Sequence, residues 1–131
     1  YTTLFRSHFS VAEDIEVYGD ENMLYVALRN LVSNALKLTS EGKNVHISAS
    51  RNHHNAIIKI SDEGIGMDRN YIEKLMTDEQ LSLKIGTANE KGTGLGLILC
   101  KKFVQLNHGD LNIVSAENTG TEFTVRLPLA T

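Results

Sequence analysis

The feature that most restricts this chain is a change of period that occurs twice. A long stretch with apolar residues at helical spacing is followed by two with apolar residues in alternation, and then the same order returns. In the first stretch Leu24, Leu28, Leu31, Ala35 and Leu38 step by three or four residues, which lays one apolar stripe along a helix. Asp20 stands where an N-cap belongs and Gly42 where the helix should end. Residues 44–51 then alternate, with Val45, Ile47 and Ala49 on one face, and residues 55–61 follow with Ala56, Ile58 and Ile60. His53-His54-Asn55 lies between them, so the pair reads as a hairpin. A second long helix is predicted from about Gly94, with Leu95, Leu99, Phe103 and Leu106 on one face, ending at His108-Gly109. Strands at 110–117 and 121–128, joined by Asn118-Thr119-Gly120, form a second hairpin.

Ahead of these, Leu4 to Phe9 partly alternates and Val17-Tyr18 is a short extended piece; a short helix is predicted at 69–76. Each helix and strand here has one apolar face that needs a partner. The expected fold is therefore an α/β (α+β) two-layer sandwich, a mixed sheet of about five strands with three helices on one face. No repeat, linker or low-complexity segment breaks the chain, and residues 1–131 are expected to form one domain. The polar stretch from Thr77 to Thr93 has no clear period, and a segment of that length inside a compact domain is either disordered or a functional lid.

Composition acts by exclusion. A net charge of -3 argues against a broad nucleic-acid surface, which would be basic. The single cysteine, Cys100, rules out an internal disulfide and fits a reducing compartment. No apolar run approaches the ~18 residues a membrane span needs. The opening residues are mixed and polar, unlike a signal peptide. The chain starts at Tyr1, so a piece of a longer protein is expected, with any membrane segment or partner domain outside it.

Three places carry chemistry. In Asn30-Leu31-Val32-Ser33-Asn34-Ala35-Leu36-Lys37, spacings of four and seven put Asn30, Asn34 and Lys37 on one helix face. An amide oxygen is a hard neutral ligand suited to Mg²⁺, and a lysine one turn on can meet phosphate. Such residues on an amphipathic helix are also ordinarily just solvated. Asp62-Glu63-Gly64-Ile65-Gly66 follows a buried strand; its aspartate could accept from an amino group of a bound base, and its glycines admit close approach. A simple turn uses the same residues. Glu90-Lys91-Gly92-Thr93-Gly94-Leu95-Gly96-Leu97 runs straight into a helix, where free backbone N–H groups and the helix dipole suit a phosphate. It is not a P-loop, because no Gly-Lys-Ser/Thr follows, and the dinucleotide fingerprint fails because the third glycine comes one position early.

These motifs, with Gly120-Thr121-Glu122-Phe123 after them, resemble in order and spacing the catalytic ATP-binding domain of bacterial sensor histidine kinases, within the GHKL ATPase superfamily. The resemblance covers roughly residues 17–129. It implies the superfamily's α/β sandwich, with ATP and Mg²⁺ as ligands. By it, Asn34 ligates Mg²⁺, Lys37 meets phosphate, Asp62 takes the adenine amino group, and Gly64 and Gly66 shape the adenine pocket. Gly92, Gly94 and Gly96 form the base of a lid over the phosphates, on which Lys91 and Thr93 contact phosphate, with Leu95 in the same motif. Thr121 lines the adenine end.

ATP-hydrolysing members of the superfamily resemble one another in carrying a glutamate, four residues before the Mg²⁺ asparagine, as base for water. Here that position is Asn30, which cannot take a proton. Transfer to an external nucleophile then suits the site better than hydrolysis. The acceptor implied is a histidine, and none of His8, His46, His53, His54 or His108 falls in a helical phosphoacceptor motif. The implied partners are a phosphoacceptor histidine domain of the same protein and, downstream, a response-regulator receiver domain. The domain is expected to be cytoplasmic and monomeric, in a homodimeric parent that is membrane-anchored or not. Two departures stand out. Residues 69–91 hold no phenylalanine, where the family often has them, with Leu75-Met76 as apolar anchors in their place, and Leu38 replaces the usual aromatic after the helix lysine. A degenerate nucleotide-sensing or scaffold domain, or an anti-sigma-type serine kinase, are the alternatives.

Overall fold

The structure, a computed structural model, describes residues 6–11, 15–39, 43–77 and 93–130, with backbone alone for 6–11, 75, 77 and 93–95. The elements run β1 (Arg6–Val11), α1 (Glu21–Leu38), β2 (Asn44–Asn52), β3 (Asn55–Asp62), α2 (Arg69–Thr77), α3 (Thr93–Leu106), β4 (Asp110–Ala116) and β5 (Gly120–Pro128). The five strands lie in the order β1-β2-β3-β5-β4. The last four are antiparallel neighbours and β1 runs parallel to β2, so the sheet is mixed, as expected. Val17 adds an antiparallel bridge to Leu129.

The helix α1 forms where its stripe and caps agree. Asp20 is the N-cap, its side chain accepting from the Met23 N–H at 2.9 Å. Leu24, Ala27, Leu31 and Ala35 are buried along the stripe. Its end comes earlier than Gly42. Thr39 turns extended, at φ -85° and ψ 131°, while its N–H and hydroxyl both donate to the Ala35 carbonyl. A β-branched residue that can bond back one turn serves as the stop here, without a glycine.

The second long helix buries a different stripe from the one its sequence suggested. Leu97, Cys100 and Val104 are buried with Asn107, whereas Leu106 is 56% exposed. Apolar residues surround most of α3, so periodicity alone cannot choose a face. The face that meets α1 is marked by Cys100, whose thiol donates to the Ala27 carbonyl at 3.0 Å, while at Gly96 a Cβ would meet the Asn30 side chain only at ordinary contact, 3.9 Å.

At its end, His108 takes the left-handed conformation (φ 65°), its N–H donating to Gln105 and that of Gly109 to Val104. This is a Schellman closure with histidine in the usual glycine position. Gly109 is needed for another reason, since a Cβ there would sit 2.1 Å from the Arg126 carbonyl oxygen. Phe123, Val125, Leu127 and Ile60 meet these helices from the sheet. Each fully buried side chain of this size contributes about 1.5–3 kcal/mol. Among the described residues, no helix is long and apolar enough to cross a membrane.

Candidate functional site

Seen in rows across the strands, the helix-facing side of the sheet is apolar through its middle and turns polar in the row at the Asp62 end. Leu111, Val125, Ile58 and Ala49 stand opposite one another, and Ile113, Phe123, Ile60 and Ile47 follow. The next row is Ser115, Thr121, Asp62 and Val45, polar at three positions of four. Asp62 is 5% exposed and Thr121 2%, so these are interior polar groups and must be satisfied or reserved for something.

Asp62 is half satisfied. Its Oδ1 accepts from the Gly64 N–H at 2.8 Å, and the Thr121 backbone amide also donates to the carboxylate. Its Oδ2 is buried with no partner among the described residues. Burial holds the carboxyl above the usual aspartate range, although the Gly64 and Thr121 bonds pull the other way. The segment after it is stitched down on both sides. The Ile65 N–H donates to Leu38 at the end of α1, its carbonyl accepts from the Asn118 N–H, and the Met67 N–H donates to Ser115 Oγ at 2.8 Å. A Cβ on Gly64 would lie 2.1 Å from the Leu38 oxygen, and one on Gly66 (φ 74°) 2.0 Å from the Ala116 oxygen. Glycine at both positions follows from these contacts.

On α1, Asn34 is 6% exposed, and its Nδ2 has no partner among the described residues. Lys37, one turn further, is exposed. Asn30 is half-buried between the helices, hydrogen-bonded to the Cys100 thiol and nearest to Gly96. The helix α3 starts at Thr93, so Thr93, Gly94, Leu95 and Gly96 form its first turn, whose N–H groups have no intrahelical acceptors. That turn runs beside the Asn30–Asn34 face of α1. Lys91 and Gly92 lie outside the described residues, as does Gly42. Of the two apolar residues flagged in place of the absent phenylalanines, Met76 packs against the core, and the Leu75 side chain lies outside the description.

A cavity of 760 Å³ also opens along α1, lined by Tyr25, Leu28, Val32 and Leu36 with Arg29, Ser33 and Lys37. Val32 and Asn34 point about 160° apart around a helix of 3.6 residues per turn. The cavity therefore belongs to the other flank and shares only Lys37 with the residues singled out by sequence. Unpartnered polar atoms mark the site better than the volume does, because burying them costs about 1–3 kcal/mol each unless a ligand meets them. No group of three or more His, Cys, Asp and Glu suited to a metal occurs among the described residues.

Sequence reasoning missed Ser115. Its signal was present: in β4 the inward positions are Leu111, Ile113 and then Ser115. A polar residue closes the apolar alternation at the same end as Asp62 in β3 and Thr121 in β5.

A family model described as histidine kinase-, DNA gyrase B-, and HSP90-like ATPase matches residues 19–131. Sporulation kinase B of Bacillus subtilis is 37% identical over 116 residues, 88% of this chain and 26% of that protein. The sensor histidine kinase WalK of the same organism is 38% identical over 117 residues, 88% of this chain and 19% of its own length. This chain thus spans about a quarter or less of these relatives. The nucleotide-free catalytic domain of histidine kinase ThkA superposes with a TM-score of 0.77 at 25% identity, covering 95% of this chain and 78% of that one. The mycobacterial sensor histidine kinase MprB gives the same score and identity, over 95% of this chain and 82% of its own. With the polar row, the glycine contacts and the helix pairing all falling where those motifs stand, the chain belongs to the histidine kinase-, DNA gyrase B- and HSP90-like ATPase family, as a catalytic ATP-binding domain of the histidine-kinase type.

Proposed function

We propose that this domain holds ATP with Mg²⁺ and presents the terminal phosphate to a histidine on a phosphoacceptor domain of the same protein. A response-regulator receiver domain then takes the phosphoryl group. The observation that carries the reading is the pair of buried, unpartnered atoms, Asp62 Oδ2 on the sheet and Asn34 Nδ2 on α1. Two unmet polar side chains at the edge of one core fit a ligand that is polar at both ends.

The adenine amino group supplies the donor that Asp62 Oδ2 lacks, with Thr121 beside it and Gly64 and Gly66 leaving room for the ring. The phosphates extend toward Asn30, Asn34 and Lys37 and the first turn of α3 (Thr93, Gly94, Leu95, Gly96), with Lys91 and Gly92 just before it. The Asn34 side-chain oxygen is the atom that would ligate Mg²⁺, and the buried, unpartnered NH₂ of the same amide is left to donate to a phosphate oxygen. When bound, the ion neutralises phosphate charge. Phosphoryl transfer asks mainly for alignment and charge neutralisation, which these residues provide. Asn30 has no proton affinity to activate water, and its amide is engaged with Cys100, which favours an external nucleophile over hydrolysis.

The domain is proposed to be a single cytoplasmic unit over residues 1–131, monomeric alone, in a dimeric parent. Titration calorimetry with ADP and a non-hydrolysable ATP analogue, with and without Mg²⁺, tests the nucleotide site. Binding that Mg²⁺ strengthens in the unaltered chain but not in Asn34→Ala is expected. An Asn34→Ala chain that keeps the full Mg²⁺ effect would refute the metal assignment. No binding at millimolar nucleotide would refute the site. Adding the phosphoacceptor domain then tests transfer, seen as phosphohistidine on that domain.

A further inference from the structure

The proton count at Ser115 has a consequence for which base the pocket accepts. Ser115 Oγ sits 2.8 Å from the Met67 nitrogen, 2.9 Å from the Gly120 carbonyl oxygen and 2.8 Å from Thr121 Oγ1. A hydroxyl has one proton to donate and two lone pairs to accept with. The Met67 N–H can only donate, so it takes one lone pair. The Gly120 carbonyl can only accept, so it takes the single proton. One lone pair remains for Thr121, and the Thr121 hydroxyl must therefore be the donor in that contact. Its own proton is committed to Ser115, and what it can offer a neighbour is an acceptor.

We propose that Ser115 is a specificity-determining positioning residue for the purine base: by taking the Thr121 proton it makes Thr121 an acceptor beside the acceptor Asp62. The inference rests on the reading of this site as an adenine-nucleotide pocket. Two adjacent acceptors, one of them the partnerless Asp62 Oδ2, select a base edge that brings hydrogen-bond donors, directly or through water. Adenine carries an amino group at C6. Hypoxanthine carries an oxygen at C6, which would face an acceptor where adenine brings its amino group, and the one proton of that edge, on N1, lies a position away. Freed from Ser115, the Thr121 hydroxyl could rotate and donate to that oxygen, and the discrimination would weaken. Specificity here is the difference between two affinities and is set partly by what the pocket refuses.

The test compares ADP with inosine diphosphate by calorimetry on the 131-residue chain, unaltered and as Ser115→Ala, Ser115→Thr, Thr121→Val and the double variant Ser115→Ala/Thr121→Val. The ratio of the two affinities is the readout, because partial unfolding lowers the active fraction without changing the ratio. Ser115→Ala is expected to shrink the preference for ADP by about three- to tenfold, the worth of one neutral hydrogen bond. Ser115→Thr, which keeps the hydroxyl, is expected to retain it. On the Thr121→Val background, Ser115→Ala should change the ratio no further. An unchanged ratio in Ser115→Ala overturns the proposal even if both affinities fall, since that pattern is what a purely structural serine gives. An equal drop with or without the Thr121 hydroxyl overturns it too. If the unaltered chain binds neither nucleotide, the adenine-pocket reading itself is overturned and this inference with it.

Discussion

Asp62→Asn should stabilise the empty domain, or leave it unchanged, while weakening nucleotide binding, and the opposite signs follow from one geometry. The carboxylate has two bonds that favour its charged form, from the Gly64 and Thr121 amides, yet burial outweighs them and raises its pKa. The folded state therefore disfavours the charge on balance. An asparagine keeps an oxygen for both amides and carries no charge to desolvate. Binding goes the other way. The atom facing the ligand changes from an acceptor to an NH₂ group that meets the adenine amino group donor to donor. Losing a hydrogen bond to a charged group costs about 1.5–3 kcal/mol, or roughly 10- to 150-fold in Kd. The pH dependence supplies an internal control. A carboxyl whose folded pKa is raised contributes stability below its unfolded pKa and loses it as pH climbs through the folded value. The melting temperature of the unaltered chain should thus fall relative to that of Asp62→Asn from about pH 4 upward, and level off once Asp62 is ionised. Calorimetric melting across pH with ADP titration at pH 7 measures both halves. A variant that melts well below the unaltered chain at pH 7 would refute the burial argument, and unchanged ADP affinity would refute the acceptor role.

Other outcomes follow from single contacts. Gly66→Ala forces a Cβ to within 2.0 Å of the Ala116 oxygen at φ 74°, and should cost more than ~2 kcal/mol in a denaturant titration; a loss under half that would mean the segment shifts freely. Asn107 is buried, accepting from the Asp20 N–H at 2.7 Å and donating to the Phe103 carbonyl, so it ties the start of α1 to the end of α3. Asn107→Ala should cost about 2–3 kcal/mol, and a melting temperature within a degree of the unaltered chain would count against that tie. The Cys100 thiol, buried and pushed up to about 12, should resist a thiol reagent at pH 8 until the chain unfolds; labelling faster than unfolding would contradict its burial.

Much of the fold could be read from period alone, and where the reading failed the reasons are local. The buried stripe of α1 sits at the spacing that Leu24, Leu31 and Ala35 set, although Tyr25, Leu28, Val32 and Leu36 leave a second flank of that helix apolar as well. For α3 the same method chose Leu106, which is exposed, because apolar residues occur nearly all round and the contact of Cys100 with Ala27 on α1 marks the buried face instead. The end of α1 depended on Thr39 bonding back to Ala35, a contact that composition does not signal. The motif residues Asn34, Asp62, Gly64, Gly66 and Thr121 were legible as a set. Ser115 was overlooked although the alternation of β4 turns it inward, because only cross-strand register shows that it stands beside Thr121. Register is a property of paired strands, so the neighbour of Ser115 can be read only once β4 is aligned with β5.

Of the four glycines whose Cβ would meet a backbone oxygen at 2.0–2.1 Å, three gather at the polar end of the sheet beside the unpartnered atoms, and the fourth, Gly109, follows α3 at the other end. Glycines 64, 66 and 120 each sit where a Cβ would lie 2.0–2.1 Å from a backbone oxygen, and those oxygens belong to Leu38, Ala116 and Asp62. Asp62 Oδ2, one of the buried unpartnered atoms, lies among them, and Asn34 Nδ2, another, sits one turn before Leu38 on α1. A sequence chosen for stability alone would fill the last row of the sheet with apolar side chains, as it does in the two rows before. Leaving that row polar lowers the stability of the empty domain and keeps affinity in reserve for whatever completes the row. Nucleotide should consequently raise the melting temperature with its concentration, following RT ln(1 + [L]/Kd). For Asp62→Asn the curve should start as high or higher and rise less, because the substitution relieves the empty state and removes the bond that the ligand would have made.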